Sequence, residues 1–285
     1  MFYLHTSNRT ENLLQHLAEL IRAQGRQDLF TPELFVVQSQ GMERIISQKL
    51  AEVFGVWCNF RYLLPLHFFE LVANCLEMSI QPDGFAREMV VWRLEELLRD
   101  LDPPELAVLV PYFSGENAEL KRFQLARQLA NLFDQYQLLR PEFLARWEQG
   151  RPAVGHPTEA WQRRLWQRLV DHMPDRLHRG AVLQRIGRRL HEQDVPAGVL
   201  PGRISVFGIH TMAPLFLDLL AGLALHSDVH LYLLSPCEQY WGDLPNRRQL
   251  ARQRAAANGA PGAEDATGHP LLVALGRQGR DFQAL

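Results

Sequence analysis

The residues best placed to do chemistry form the polar turn Gln38-Ser39-Gln40-Gly41-Met42-Glu43-Arg44, between an apolar run and an amphipathic stretch. A phosphate loop at such a place needs the pattern GxxxxGK[ST]. The glycines allow close backbone approach, the lysine reaches the β- and γ-phosphates, and the hydroxyl holds magnesium. This turn has Gly41 and no Lys-Ser/Thr pair, and Lys49 lies well down the following helix. ATP hydrolysis through this loop is therefore not expected. What remains is a helix N-terminus whose free N–H groups can hold a phosphate. Gln38, Ser39, Gln40 and Arg44 around it can hydrogen-bond base edges or backbone. A plain polar strand–helix turn would carry the same residues, and the spacing does not choose between the two.

The other half of a nucleotide site would be a strand ending in an acidic residue that holds magnesium. The candidate strand is 203–209, followed by His210-Thr-Met-Ala213. No acid stands between Ile204 and Pro214, and the first is Asp218. Two independent absences argue more strongly than one. A second polar constellation is Leu132-Phe-Asp-Gln-Tyr-Gln-Leu-Leu-Arg-Pro141. It sets Asp134, Gln135 and Arg140 at or near a helix end, beside Leu132, Phe133 and Tyr136. It suits either a solvated helix terminus or a polar wall along single-stranded nucleic acid, where bases stack on apolar faces.

Other chemistries fit poorly. Pro174-Asp175 and Glu119-Leu-Lys121 carry the residue types of a PD-(D/E)xK nuclease in the wrong order, with Glu119 in a helical pattern. His226 and His230 straddle a helix end and a strand, so one helical face cannot offer both to a metal. Ser39 has no sequence-evident His–Asp partners. Cys58, Cys75 and Cys237 form no CxxC pair and read as free thiols. The net charge of −2 does not announce a nucleic-acid binder. Of the 30 basic residues only Lys49 and Lys121 are lysine. Arginine suits phosphate and base contacts, but GC-rich coding would give the same bias.

These residues need elements to hold them. The first element reads as a helix with Asn8 as N-cap and Glu11 at N3, followed by Leu13, Leu14, Leu17, Leu20 and Ile21. Leu34-Phe-Val-Val37 reads as a buried parallel strand. Met42, Ile45, Ile46, Leu50, Val53 and Phe54 mark a helix closed by Gly55. From about 67 to 195 the pattern is almost wholly helical, punctuated by Pro103-Pro104, Pro141 and Gly155-His-Pro157. A strand from Arg203, a helix through Leu215–Leu223 and a strand at Val229–Leu234 form a βαβ unit. Residues 255–268 read as a flexible surface loop, and the end at Leu285 suggests a piece of something longer. The expected architecture is α/β. Residues 1–66 and 200–285 form a parallel-sheet domain, into which an all-helical domain of 67–199 is inserted. No apolar run approaches the roughly 20 residues that cross a bilayer, and the start has no signal-peptide pattern, so the default is a cytoplasmic protein.

The chain resembles the RecC family, the gamma subunits of exodeoxyribonuclease V. The resemblance rests on His5-Thr-Ser-Asn-Arg9, Val37-Gln-Ser-Gln-Gly-Met42, Leu132-Phe-Asp-Gln-Tyr136 with Arg140-Pro141, and Tyr240-Trp-Gly-Asp243. His269-Pro-Leu-Leu272 and Gly279-Arg-Asp281 complete it. These run in order along the whole chain but match only the beginning of the family protein. The resemblance implies a superfamily 1 helicase-like fold, without helicase chemistry, in a bacterial double-strand-break repair complex. It implies RecB-like and RecD-like partners, contact with duplex ends and single strands, and scanning of the 3′-ended strand for the regulatory sequence Chi. ATP and magnesium would belong to the partner subunits, with no cofactor in this chain.

Among the family's Chi-sensing positions, Gln38, Leu64, Leu132, Asp134, Arg140 and Arg179 keep the residue type of the best-known relative. Gln40, Arg44, Glu70 and Asn131 stand where it has Thr, Gln, Trp and Asp. Glu70 removes a stacking surface, and Arg44 turns a donor–acceptor into a donor only. Ser39 and Gln135 join the site through their places in the two polar segments. The competing readings are an active ATP-dependent helicase or nuclease subunit and a docking scaffold for partner subunits.

Overall fold

A computed structural model describes residues 1–24, 30–78, 85–174, 176–192 and 195–237, with the single positions 241, 249, 252 and 279. Stretch 255–268, Asp175 and most of segments 240–243, 269–272 and 279–281 lie outside them. Five parallel strands make one sheet: β1 (Phe2–Ser7), β2 (Glu33–Val37), β3 (Phe60–Leu63), β4 (Arg203–Phe207) and β5 (Asp228–Leu234), ordered β1-β5-β4-β2-β3. Parallel strands need crossovers. Those in this sheet include α1 (Thr10–Gln24), α2 (Gln40–Phe54) and α10 (Pro214–Leu223).

The interior strand β2 is buried at all five positions, as the apolar run Leu34–Val37 requires. Its one charge, Glu33, is 8% exposed and sits beside Arg203 at the start of β4. The register pairs Leu34 with Ile204. Arg203 Nε donates to Glu33 Oε2 at 3.2 Å and Nη2 donates to Oε1. This bidentate geometry is what a buried carboxylate needs. Under α1 and α2, Leu17, Phe35, Ile46, Leu50, Phe207 and Tyr232 form the sheet core.

Two of the five strands escape the sequence pattern. The first element is β1, not a helix, and α1 begins at Thr10, a residue later than an Asn8 cap would give. In β1 the exposed positions are Phe2, Leu4 and Thr6, and the inward ones are Tyr3, His5 and Ser7. The usual apolar-in alternation is thus absent. The inward rings stack instead: Tyr3 on His230 at 4.6 Å and His5 on Tyr232 at 4.7 Å between centroids. A chain of imidazoles joins them, His16 Nε2 to His5 Nδ1 at 3.0 Å and His5 Nε2 to His230 Nδ1 at 3.1 Å. Burial holds His230 down at about 4, helped by the charge of His5. Burial also lowers His5, with His16 adding to it. The other unread strand, β3, has four residues at the opposite edge.

The chain divides into two compact units, residues 1–68 with 196–285, and residues 69–195. The sheet belongs to the first. The second is helical: α4 (Arg87–Leu97), α5 (Val110–Phe113), α6 (Ala118–Leu139), α7 (Pro141–Glu148), α8 (Glu159–Asp171) and α9 (Arg179–His191). A 3₁₀ turn at Pro104–Leu109 precedes α5, and α3 (Pro65–Cys75) spans the division. Leu94, Phe133, Leu144, Trp147, Leu165 and Trp166 centre its core. Glu159 is buried at the first turn of α8. It accepts from Trp147 Nε1 at 2.7 Å, Val154 N at 3.0 Å, Gly155 N at 2.6 Å and from Ala153 N. Burial opposes its ionisation, but these four donors outweigh burial and hold the carboxyl at about 2.

Among the described residues no helix is long and apolar enough to cross a membrane.

Candidate nucleic-acid interface

In the sheet unit the order of the strands sets the place. From β2 the chain moves to β3 on one side, and from β4 to β5 on the other. The connections leaving β2 and β4 therefore part at a topological switch point, where open α/β sheets bind ligands. Val37 pairs with Phe207, so Gln38 and Gly208 follow side by side. Gly208 has φ +70°, and a Cβ there would come within 2.7 Å of Met42 Cε. The Met42 side chain thus lies against the backbone leaving β4.

The start of α2 is closed by its own sequence. Ser39 is extended, at φ −156° and ψ 158°, and its hydroxyl accepts from Met42 N at 3.3 Å. This is ordinary N-capping, and it takes up one of the N–H groups that the sequence left free for a phosphate. Gln38, Ser39, Gln40 and Arg44 are all exposed. Gln40 and Arg44 are four residues apart on α2 and share a face. Leu64, which follows β3, is 43% exposed. It stands level with the end of β2, because Val36 pairs with Leu63. The sheet edge therefore brings together Gln38, Ser39, Gln40, Arg44 and Leu64.

The helical unit holds the other residues. Asn131, Asp134 and Gln135 lie at i, i+3 and i+4 on α6, a spacing that places them on one face. Asn131 and Gln135 are exposed, while Leu132 packs partly into the core. Asp134 Oδ1 accepts from Arg179 Nη2 at 2.6 Å, and Arg179 N donates to Gln137 Oε1 at 3.1 Å. Arg179 Nε is buried without a hydrogen-bond partner among the described residues. Arg140 closes α6, its N–H donating to Tyr136 O at 2.9 Å, and its guanidinium lies 5.5 Å over the Phe143 ring. Burial raises the Tyr136 phenol against the opposing charge of Arg140. Glu70 is half-buried in α3 and joins no contact with the α6–α9 group among those described.

Sequence reasoning missed the residues that fix this group. Arg179 opens α9, and the next residue explains how α9 comes so close to α6. A Cβ on Gly180 would lie 2.5 Å from Gln137 O. His178 caps α9, its Nδ1 accepting from Ala181 N at 3.2 Å, and its Nε2 lies 3.0 Å from Glu148 Oε1. Burial works against the charge on Glu148. The bond and charge of His178, with Trp166 Nε1 donating, outweigh it and hold the carboxyl below its ordinary range. The one legible signal was a glycine at the second position of α9.

Comparison with known proteins identifies the family. The sequence profile described as "RecC, N-terminal domain" matches residues 2–285. The RecBCD enzyme subunit RecC of Escherichia coli (strain K12) is 30% identical over 99% of this chain and 28% of its own length. That of Mycolicibacterium smegmatis is 34% identical over 99% of this chain and 25% of its own. That of Haemophilus influenzae is 28% identical over 99% of this chain and 30% of its own. The chain thus spans between a quarter and a third of the length of these three relatives. With nearly its whole length aligned to that profile, the chain belongs to the RecC family and corresponds to its N-terminal domain.

Proposed function

We propose that this chain is a non-catalytic, strand-contacting portion of a RecBCD-type helicase–nuclease, the exodeoxyribonuclease V of bacterial double-strand-break repair. Its sheet unit is a helicase-like domain that has lost its nucleotide chemistry, with the helical unit inserted between its strands. The observation that carries this reading is the switch point between β2 and β4. Met42 lies over Gly208 there, Ser39 caps α2, the turn after β2 carries no P-loop lysine, and no acid stands between Ile204 and Pro214. Exposed amides and a guanidinium take their place. Such groups can hydrogen-bond a passing strand and cannot activate a phosphoryl group.

In this reading Gln38, Ser39, Gln40, Arg44 and Leu64 on the sheet unit each touch the 3′-ended strand. So do Glu70, Asn131, Leu132, Asp134, Gln135, Arg140 and Arg179 on the helical unit. The chain holds no cofactor of its own. ATP and magnesium act in RecB-like and RecD-like partners of a cytoplasmic complex that takes duplex ends. Its strand preference differs from the one the family resemblance implies, or discriminates less, because Glu70 offers no ring for stacking and Arg44 only donates.

The test is binding of the reconstituted three-subunit enzyme to a panel of strands carrying different octamers. Selection of an octamer other than the relative's is expected, with Asp134→Asn and Arg44→Gln altering the choice. Selection of the relative's site with equal discrimination would refute a changed preference. Binding blind to every octamer and to both substitutions would refute scanning by this chain.

A further inference from the structure

On the helical unit, α4 and α6 run side by side and leave an open groove on their outer face, lined by Arg87, Glu88, Trp92, Phe123, Arg127 and Asn131. Trp92 is 63% exposed, an unusual position for the largest apolar side chain. Its ring centroid lies 5.6 Å from that of Phe123 at an interplanar angle of 43°, so one indole face stays open to solvent. Guanidiniums flank the rings. Arg87 is held by Glu88 at 3.3 Å and by Asn131 Oδ1 at 3.3 Å. Arg127 has no ion-pair partner among the described residues. Two cations against one carboxylate leave the groove positive. With its oxygen accepting from Arg87, Asn131 keeps an NH₂ group with no hydrogen-bond partner among the described residues.

An open aromatic face, an unpaired arginine and a free amide donor are the parts of a single-strand platform. The ring stacks a base, the cation takes a phosphate, and the amide meets a base edge. The placement adds a second argument. Phe123, Arg127, Asn131 and Gln135 follow one another at i, i+4 spacing, so they form one line along α6. Two of them belong to the strand-contacting group proposed above, and the groove continues that line for about 12 Å toward the start of α6.

We infer that the Trp92–Phe123 groove is a base-stacking subsite for single-stranded DNA, extending the strand path beyond Asn131. This rests on the reading that α6 contacts a strand. The test uses the chain assembled with its partner subunits and a 3′-overhang substituted with 5-iodouracil at successive positions. Illumination should cross-link one position to Trp92 or Phe123. Trp92→Ala should weaken overhang binding about tenfold, and Trp92→Phe, which keeps a ring, by no more than about threefold. Arg127→Ala should lower the slope of log affinity against log salt by about one. Cross-links to Asn131, Gln135 or Arg140 with none in the groove, and unchanged affinity for Trp92→Ala, would overturn the subsite and leave the strand reading intact. No cross-link anywhere on the chain would overturn both. An indole at position 92 shielded from acrylamide before DNA is added would show that protein fills the groove, and would overturn the subsite.

Discussion

Two ionisable residues deep in the fold tie stability to pH. Glu159 is held at about 2 against an ordinary 4.5. A depressed carboxyl contributes stability present above its unfolded value and lost as pH falls toward its folded one. His230, held at about 4 against 6.5, follows the same sign because its neutral form is the folded one. Acid titration should therefore weaken the chain in two windows, between pH 6.5 and 4 through His230, and below 4.5 toward 2 through Glu159. Thermal melts across pH check this. His230→Asn should flatten the upper window, and a wild-type melting temperature constant from pH 7 to 4 would contradict it. Glu159→Gln replaces one accepting oxygen with an NH₂ group that faces backbone N–H donors. It should cost about 2 kcal/mol or more at pH 7, read by denaturant unfolding.

At the scale of elements, the candidate site depends on two glycines, Gly208 for its φ of +70° and Gly180 for a close approach to backbone. Gly208 admits Met42 against the end of β4, and Gly180 admits α9 against α6. Gly180→Ala would set a methyl group 2.5 Å from Gln137 O, with rigid backbone on both sides. It should cost about 1–3 kcal/mol, lengthen the Arg179–Asp134 pair and weaken strand binding as much as Arg179→Ala does. Full-strength binding by a folded Gly180→Ala variant would remove Arg179 from the strand contacts. The approach at Gly180 was hidden in the sequence because a glycine within a helix reads only as a propensity defect. The helices with clear 3.6-residue stripes and the buried strands β2, β4 and β5 were legible. Strand β1 was not, because its core-facing residues are Tyr3, His5 and Ser7, held by ring stacking and imidazole hydrogen bonds. A four-residue edge strand such as β3 is too short to show a period. The polar turn after β2 was legible as a turn, but its self-capping by Ser39 and the place of Met42 beside Gly208 depend on geometry.

For the whole molecule, family membership and the parallel α/β fold agree with the sequence reading, and each has a separate basis: the profile spans residues 2–285, and the sheet order follows from pairing. The proposed strand-contacting residues were legible only as residue types. Asn131, Asp134 and Gln135 share a face because α6 is continuous through them, and Arg179 joins Asp134 from 45 residues away. The account turns on the switch point between β2 and β4 being a surface for a strand and not a nucleotide pocket. Its most direct test is phosphate release from Mg·ATP, with saturating single-stranded DNA, in an assembled complex whose motor subunits carry inactivated nucleotide sites. The account predicts no release above the protein-free rate, with or without Arg44→Ala. Turnover that Arg44→Ala or Gln38→Ala abolishes would contradict it.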